Sequence, residues 1–195
     1  MVKGKGFTLI EMMVVIVILA TLAIIAAPRF LNLSHDARSS MLKGVASEYQ
    51  QAVSFANHKW AIEGRANQAQ VNLPGYVDGQ LDINDVGFPI GIDKNAALSA
   101  PYNIGRGQKA CAELFQTLLD TSLTASHQQA NIETVDFFAR RQSNSITLPD
   151  GSTTTAQSKC YYIYTKDSFN LDPEVAKHVI WYDSRTGDVT YITNS

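Results

Sequence analysis

The sequence predicts an α+β fold in which one long N-terminal helix packs on an antiparallel β-sheet. An apolar run over residues 7–27 continues into an amphipathic helical pattern that ends near residue 63. Short alternating, aromatic-rich segments between turn signals follow in the last third of the chain. We therefore expect a leader over residues 1–6, a helix over 7–63 and a globular head over 64–195.

Composition and charge exclude several classes of function. The net charge of the 195-residue chain is -2, and no long run of like charges is present, so we expect no nucleic-acid partner. The four histidines show no metal-ligand spacing and no accompanying catalytic set, and we expect each at the surface or on a helix: His35, His58, His127 and His178. The sequence thus predicts no enzyme, no catalytic residue, no cofactor and no metal.

The apolar run is long enough to cross a bilayer as a helix. Lys3 and Lys5 precede it, and the positive-inside rule then places the N-terminus in the cytoplasm. A cleaved secretory signal would have a shorter apolar region with small residues after it. Here the small residues Gly4 and Gly6 come before the run, which indicates that the leader is removed and the helix is kept.

Glu11 is the only charged residue between Phe7 and Ala27. A carboxylate inside a bilayer costs about 3 kcal/mol on insertion scales. One interpretation places Glu11 shallowly, near the headgroups. A second pairs it with the α-amino group that cleavage after Gly6 would create on Phe7. This ion pair could form within one chain or between neighbouring chains, and the latter would set a register of assembly.

Beyond the apolar run, Pro28 predicts a kink or a local break in the helix. The helical pattern then continues and should end at Gly64. We expect its apolar stripe to pack on the head: Phe30, Leu33, Ala37, Met41, Val45, Tyr49, Ala52, Ala56 and Trp60.

The head begins with an irregular, glycine- and proline-rich connection over residues 64–108 that contains short strands. We expect a helix over 108–120 after it. Five strands are predicted, over residues 133–139, 145–148, 159–165, 178–183 and 189–193. A turn at Pro149-Asp150-Gly151 follows the second strand, and the last two strands form a hairpin around "SRTGD". Most Tyr and Trp side chains should lie in the sheet core.

The head contains a possible disulfide and a possible calcium-binding loop. An even cysteine count behind an export-like N-terminus favours a disulfide between Cys111 and Cys160, the alternative being two buried thiols. The loop from Asp78 to Asp85 groups carboxylate and amide oxygens that could hold calcium. Its spacing is not that of an EF-hand, and we favour a turn-rich loop.

The string "GFTLIE" after a short basic leader, followed by an apolar run and Pro28, resembles the class III signal of type IV pilins. The resemblance implies cleavage after Gly6 by a prepilin peptidase, which also N-methylates Phe7. It also implies that Glu11 recruits each subunit to the N-terminus of its neighbour. The expected partners are other pilin subunits, the peptidase, the inner membrane and a pilus assembly platform.

The order of helix, connection, antiparallel sheet and disulfide-bounded region resembles the pilin fold. Five strings look most like the mannose-sensitive haemagglutinin (MSHA) pilin group: "APRFLNLSHDAR", "GFPIG", "CAELFQTLL", "CYYIY" and "IWYDSRTGDV". The resemblance implies a surface fibre for adhesion or biofilm attachment, built from subunits stored in the inner membrane. The long stretch between the cysteines leaves a minor subunit open. The signal also leaves open a pseudopilin of type II secretion.

Overall fold

The computed structural model describes residues 6–64, 67–92, 94, 102–148 and 151–194, without the side chains of residues 31, 32 and 77. The chain divides into two compact units, one that ends at Met41 and one over Leu42–Ser195. A single long helix, α1, runs over Leu9–Ile62 and contributes to both units. The chain combines two helices with mostly antiparallel strands, so the predicted α+β class is confirmed.

Helix α1 begins two residues after the predicted start and ends within one residue of the predicted end. It stops beside Gly64, whose φ of 72° is the left-handed conformation that glycine adopts after helix ends. Pro28 lies inside the helix, which continues on both sides of it. The predicted local break is therefore wrong, because one lost hydrogen bond is small beside the helical runs that flank it.

The predicted apolar stripe of α1 is only half correct. Its second part is buried in the head, together with neighbouring residues: Leu42, Val45, Ala46, Tyr49, Ala52, Val53, Ala56 and Trp60. Its first part, Phe30, Leu33, Ala37 and Met41, is exposed. The sequence pattern is the same in both parts, but only the second part has head elements to pack against within its own unit.

The connection after α1 contains a small two-stranded antiparallel sheet, as the turn-rich sequence predicts. A 3-10 turn at Val77–Gly79 leads into strand β1 (Leu81–Ile83), which pairs with β2 (Pro89–Ile92). Helix α2 follows at Ala110–Leu118, inside the predicted range of 108–120. Six of its residues are buried, so it joins the core of the head.

The main sheet has five strands in the order β3-β4-β5-β6-β7. Its strands are β3 (Ala125–Ser126), β4 (Phe137–Thr147), β5 (Thr153–Tyr164), β6 (His178–Asp183) and β7 (Val189–Thr193), with a 3-10 turn at Gln129–Asn131 after β3. All neighbours are antiparallel except β3 and β4.

Strand β4 corrects the prediction of two separate strands at 133–139 and 145–148. Residues 133–136 precede the strand, and the polar residues Arg140 to Asn144 continue it without interruption. They pair with β5, apart from an irregularity between Gln142 and Asn144, and this pairing compensates for their weak strand propensity. In the predicted turn, Pro149 and Asp150 lie outside the described residues.

The hairpin of β6 and β7 has the predicted boundaries, and its turn contains Gly187. Gly187 has φ 74°, and the ring of Phe88 occupies the space that a Cβ would need. The side-chain amide of Gln50 on α1 bonds both sides of this turn, donating to the Gly187 carbonyl at 3.0 Å and accepting from the Val189 N–H at 2.7 Å. The hairpin is thus fastened to α1 by polar bonds.

The core of the head lies between the Leu42–Ile62 half of α1, α2 and one face of the main sheet. On the opposite face, a smaller cluster of Phe138, Ile163, Ala176 and Val179 lies under the loops that precede β4 and β6. The half-buried Tyr161 and Trp181 pack against this second cluster. The expectation that the Tyr and Trp side chains fill the core therefore holds for only some of them.

Candidate processing and assembly site

The predicted cleavage point lies in an accessible part of the chain. Gly6, Phe7 and Thr8 precede α1 without regular structure, and all three are exposed. A Cβ at Gly6 would meet no atom within 4 Å. An exposed backbone outside regular structure is a place where a peptidase can reach a peptide bond.

Thr8 and Glu11 form a capping box at the start of α1. The Glu11 Oε2 atom accepts a hydrogen bond from the Thr8 backbone N–H at 2.9 Å and another from the Thr8 hydroxyl at 2.8 Å. The Glu11 N–H in turn donates to the Thr8 Oγ1 atom at 3.3 Å. This reciprocal arrangement satisfies backbone donors that the first turn of a helix leaves unpaired.

The apolar run beyond Glu11 has its side chains exposed in the single chain. Residues from Leu9 onward form a helix that is long and apolar enough to span a membrane, and its most apolar window is not buried. Phe7 is 83% exposed and Leu19 60%. Exposure of so much apolar surface in water is strongly unfavourable, so this surface requires lipid or protein partners.

In the head, Cys111 on α2 and Cys160 on β5 are joined by a disulfide with a Cα–Cα distance of 5.6 Å. The predicted pairing is confirmed, and the alternative of two buried thiols is excluded. Both cysteines are fully buried. The bond links α2 to the central strand of the main sheet, and it closes a large part of the head.

Three buried tyrosines stand next to the disulfide. The Tyr49 and Tyr162 hydroxyls are 2.9 Å apart, and the Tyr162 hydroxyl donates to the Cys111 carbonyl at 3.0 Å. The Tyr182 hydroxyl donates to the Pro89 carbonyl at 2.7 Å. Burial raises the pKa of all three phenols above the ordinary value, so they remain neutral hydrogen-bonding groups. Through Tyr49, this network connects α1 to the disulfide region.

His178 corrects the prediction that each histidine lies at the surface or on a helix. It is 4% exposed, and its ring nitrogens lie 2.7 Å from the Tyr191 hydroxyl and 3.2 Å from an Asp167 carboxylate oxygen. His35 and His58 lie exposed on α1, as predicted. His178 sits at the start of β6, where the strand packs under the preceding loop.

In the loop from Asp78 to Asp85, the side-chain oxygens of Asp82 and Asn84 bind backbone N–H groups of neighbouring segments. The Asp82 carboxylate accepts from the Asn72 and Lys94 backbone N–H groups, and the side-chain Oδ1 atom of Asn84 accepts from the Val86 and Phe88 backbone N–H groups. No group of three potential metal ligands occurs among the described residues. Calcium takes about six to eight oxygen ligands, and the described loop does not offer such a set.

Sequence reasoning overlooked two polar contacts that position these features. The role of Thr8 is visible in the sequence, because Thr-x-x-Glu is the spacing of a capping box. The clamp that Gln50 forms on the β6–β7 turn has no local signal, because its partners lie more than 130 residues away.

The comparisons with known proteins concern the N-terminal part of the chain. Residues 1–27 match the family model of the prokaryotic N-terminal methylation motif. A 54-residue segment is 41% identical to the "Type IV narrow pilus major component PilA5" of Thermus thermophilus. This segment is 28% of the chain and 47% of that protein, so the chain spans about half the length of the curated relative it matches. No solved structure matches the chain.

Together, the motif and the fold resemble those of type IV pilins. The methylation motif covers the predicted cleavage point, Phe7 and Glu11. The long helix with its exposed apolar part and the sheet-containing head complete the pilin-like architecture. The similarity to a pilus component agrees with the predicted class of protein, a structural subunit.

Proposed function

We propose that this chain is the structural subunit of a type IV pilus, processed by a prepilin peptidase and assembled into a surface fibre. One observation carries the proposal: the segment that matches the methylation motif, residues 1–27, contains an apolar helix whose side chains are exposed in the part of the chain that the structure describes. Such a surface is stable in a bilayer, and it is equally stable against the same helices of other subunits.

The proposed sequence of events begins in the inner membrane. Lys3 and Lys5 keep the N-terminus in the cytoplasm while the residues 7–27 span the bilayer. Removal of the leader 1–6 after Gly6 creates a cationic amine on Phe7, which is then N-methylated. The assembly platform extracts the subunit, and packing between apolar helices replaces lipid contacts.

Glu11 has a specific role in this proposal. Its carboxylate pairs with the Phe7 amine of a neighbouring subunit, and the pairing fixes the register between the two helices. An ion pair inside an apolar helix bundle is favoured because each charge alone would be costly there. Pro28 lies within the helix at the end of the apolar run, where it makes local adjustment of the backbone easier during packing.

The finer assignment within this proposal is an MSHA-like pilus that serves adhesion or biofilm attachment. It is supported by the strings of the head that resemble this group, among them "CYYIY" on β5 and "IWYDSRTGDV" across β6 and β7. The heads would cover the outside of the fibre and supply its surface contacts. A minor subunit would act in the biogenesis of the same fibre.

The location of the protein tests the proposed function. Surface filaments sheared from cells should contain this chain along their length, as shown by immunogold labelling. Labelling restricted to fibre tips would assign it to a minor subunit. If no filament contains the chain and its deletion abolishes exoprotein secretion, the chain is instead a pseudopilin of type II secretion.

The Glu11→Val variant tests the proposed role of the carboxylate. We expect normal cleavage after Gly6, because the scissile bond precedes the helix, and a loss of fibres, because the cation of the neighbouring Phe7 has no partner. Mass spectrometry of the membrane fraction measures the first, and the amount of sheared filament measures the second. Normal fibres from this variant would contradict the pairing.

A further inference from the structure

We propose that the head binds a neutral sugar ring of the pyranose type, in a depression beside Trp181 on the outer face of the main sheet. The outer face is the face opposite the core of the head, and Phe138 and Val179 are among its buried residues. Sugar binding at this place is a property of the single chain, so it goes beyond the proposed function and does not require a fibre.

The strand register places two rows of side chains next to each other on the outer face. The first row crosses the four strands from β4 to β7, and its members are cross-strand partners: Arg140, Tyr161, Trp181 and Thr190. The second row lies two residues further along the strands and is polar: Gln142, Lys159 and Asp183. Because side chains alternate between the faces of a strand, both rows point away from the buried Cys160 and Tyr182.

A depression of about 230 Å³ lies beside these rows, next to the turn between β6 and β7. Its lining combines one aromatic ring with polar side chains: Lys159, Trp181, Asp183, Thr186, Asp188 and Thr190. Pockets for drug-sized ligands have roughly 300–1,000 Å³. The depression is smaller than these and therefore suits one sugar ring.

Trp181 supplies the apolar surface of the depression. It is partly buried and packs against the cluster that contains Phe138 and Val179, and its ring centroid lies 5.6 Å from that of Tyr161. These contacts hold the indole in place before a ligand arrives. A pyranose has C–H groups on its faces and hydroxyls around its rim, so a fixed aromatic ring can cover the C–H groups while the rim stays in contact with polar groups.

The charges of the depression favour a neutral ligand. Both oxygens of the Asp183 carboxylate accept from the Arg185 guanidinium, at 3.1 and 2.8 Å, and this pair is neutral in sum. The Lys159 amine and the Asp188 carboxylate have opposite charges and also cancel, so an anion or a cation would be repelled by one of them. Sugar hydroxyls donate and accept, and they match Lys159 as a donor, Asp188 as an acceptor and Thr190 as both.

Methyl β-D-glucopyranoside is a suitable probe, because its ring substituents are all equatorial and leave the faces of the ring apolar. The full-length chain in phosphatidylcholine nanodiscs avoids detergents that carry sugars. Each tryptophan gives one indole N–H signal in a nitrogen-15 spectrum, and the chain has two. We expect the Trp181 signal to shift saturably over the millimolar range of probe, whereas the Trp60 signal, whose N–H donates to the Gln68 carbonyl, should stay in place.

Substitutions locate the binding, with saturation transfer to the ring protons of the probe as the readout. Trp181→Ala should weaken binding at least tenfold, and Trp181→Phe, which keeps an aromatic ring, should stay within about fivefold. Asp188→Ala and Thr190→Val change exposed side chains, which leaves the fold intact, and should weaken binding about tenfold and fivefold. Ile192→Ala is the matched control, because Ile192 is exposed on the same face of β7 but does not line the depression. It should stay within about twofold of the unsubstituted chain.

Three results would overturn the proposal. The first is a Trp181 signal that does not move with the probe, or that moves in parallel with the Trp60 signal. The second is binding that Asp188→Ala and Thr190→Val leave unchanged, since the sugar would then lie elsewhere. The third is tenfold tighter binding of glucuronate, which has the same ring with a carboxylate, because the depression would then be an anion site at Lys159.

Discussion

The two halves of helix α1 are both rich in apolar residues, but the first half exposes them and the second half buries most of them. Leu19 and Leu33, before the unit boundary at Met41, are 60% and 63% exposed. Leu42, the first residue of the second unit, is completely buried, and the apolar residues from there to Trp60 are buried with the exception of Phe55, which is 63% exposed. The boundary between the units is thus also the boundary between exposed and buried apolar surface.

This difference shows which part of the helix the single chain stabilises. The second half folds with the head, where its side chains meet α2 and the main sheet. The first half is helical by its own backbone hydrogen bonds, and its apolar side chains are exposed. Substitutions in the two halves should therefore affect different properties: stability of the head in one and assembly in the other.

The largest effect on the head should follow loss of the disulfide. Replacing Cys111 and Cys160 together by serine should lower the free energy of unfolding by about 4 kcal/mol in the chain-entropy model for a loop of this length. Unfolding of the full chain in detergent can be followed by tryptophan fluorescence, because Trp60 and Trp181 both lie in the second unit. Reduction of the unsubstituted chain should give the same loss, and a change below about 1 kcal/mol would contradict the prediction.

A matched pair of leucines tests the boundary itself. Leu42→Ala should cost about 3 kcal/mol of head stability, because it creates a cavity at a fully buried site. Leu33→Ala, on the same helix, should cost less than about 0.5 kcal/mol, because that side chain is exposed. If chemical unfolding shows the same loss of stability for both variants, the boundary between exposed and buried apolar surface does not lie after Met41.

The hydrogen bonds of the buried tyrosines should contribute less to the stability of the head than the burial of Leu42 does. Tyr162→Phe removes the hydroxyl that bonds both Tyr49 and the Cys111 carbonyl, and we expect a loss of about 2 kcal/mol from the buried groups left unpaired. Tyr161→Phe is the control, since this neighbour points to the other face of the sheet. Unfolding titrations of both variants make the comparison, and a neutral Tyr162→Phe would exclude the network as a source of stability.

The smallest expected effect is a dependence of head stability on alkaline pH. Burial lowers the pKa of Lys94 to about 8, with Asp82 opposing the shift. Between this value and the ordinary pKa of about 10.4, the unfolded chain binds a proton that the folded chain does not, so stability should rise with pH. Above about pH 10 the raised pKa values of the buried tyrosines act in the opposite direction.

Thermal unfolding at several pH values tests this prediction. The full chain should gain stability between about pH 8 and pH 10. A Lys94→Met chain should lack this gain, because it has no amine to titrate. If the two chains change in parallel over this range, the titrating group is not Lys94.

Much of the fold was predictable because it depends on local sequence signals. Helical periodicity located α1 and α2, and alternating aromatic residues with a turn located the β6–β7 hairpin to the residue. The disulfide followed from the cysteine count and the export-like N-terminus. The capping box was present in the Thr-x-x-Glu spacing, although the sequence alone did not show which partner Glu11 takes.

The errors occurred where tertiary contacts decide the outcome. Residues 133–136 have strand propensity but precede β4, whereas the polar residues after Ala139 belong to the strand because β5 pairs with them. The exposure of Phe30 and Leu33 depends on where the head begins, which periodicity does not encode. His178 is buried because Asp167 and Tyr191 accommodate its nitrogens, and these partners come from a loop and another strand.

The most direct test of the pilin-like assignment is the N-terminal residue of the chain in sheared surface filaments. Tandem mass spectrometry of the N-terminal peptide identifies both the residue and its modification. We predict N-methylated Phe7, which requires cleavage after Gly6, retention of the apolar helix and its incorporation into a fibre. A chain that begins at Met1 or Val2 and stays in the membrane fraction would contradict the account.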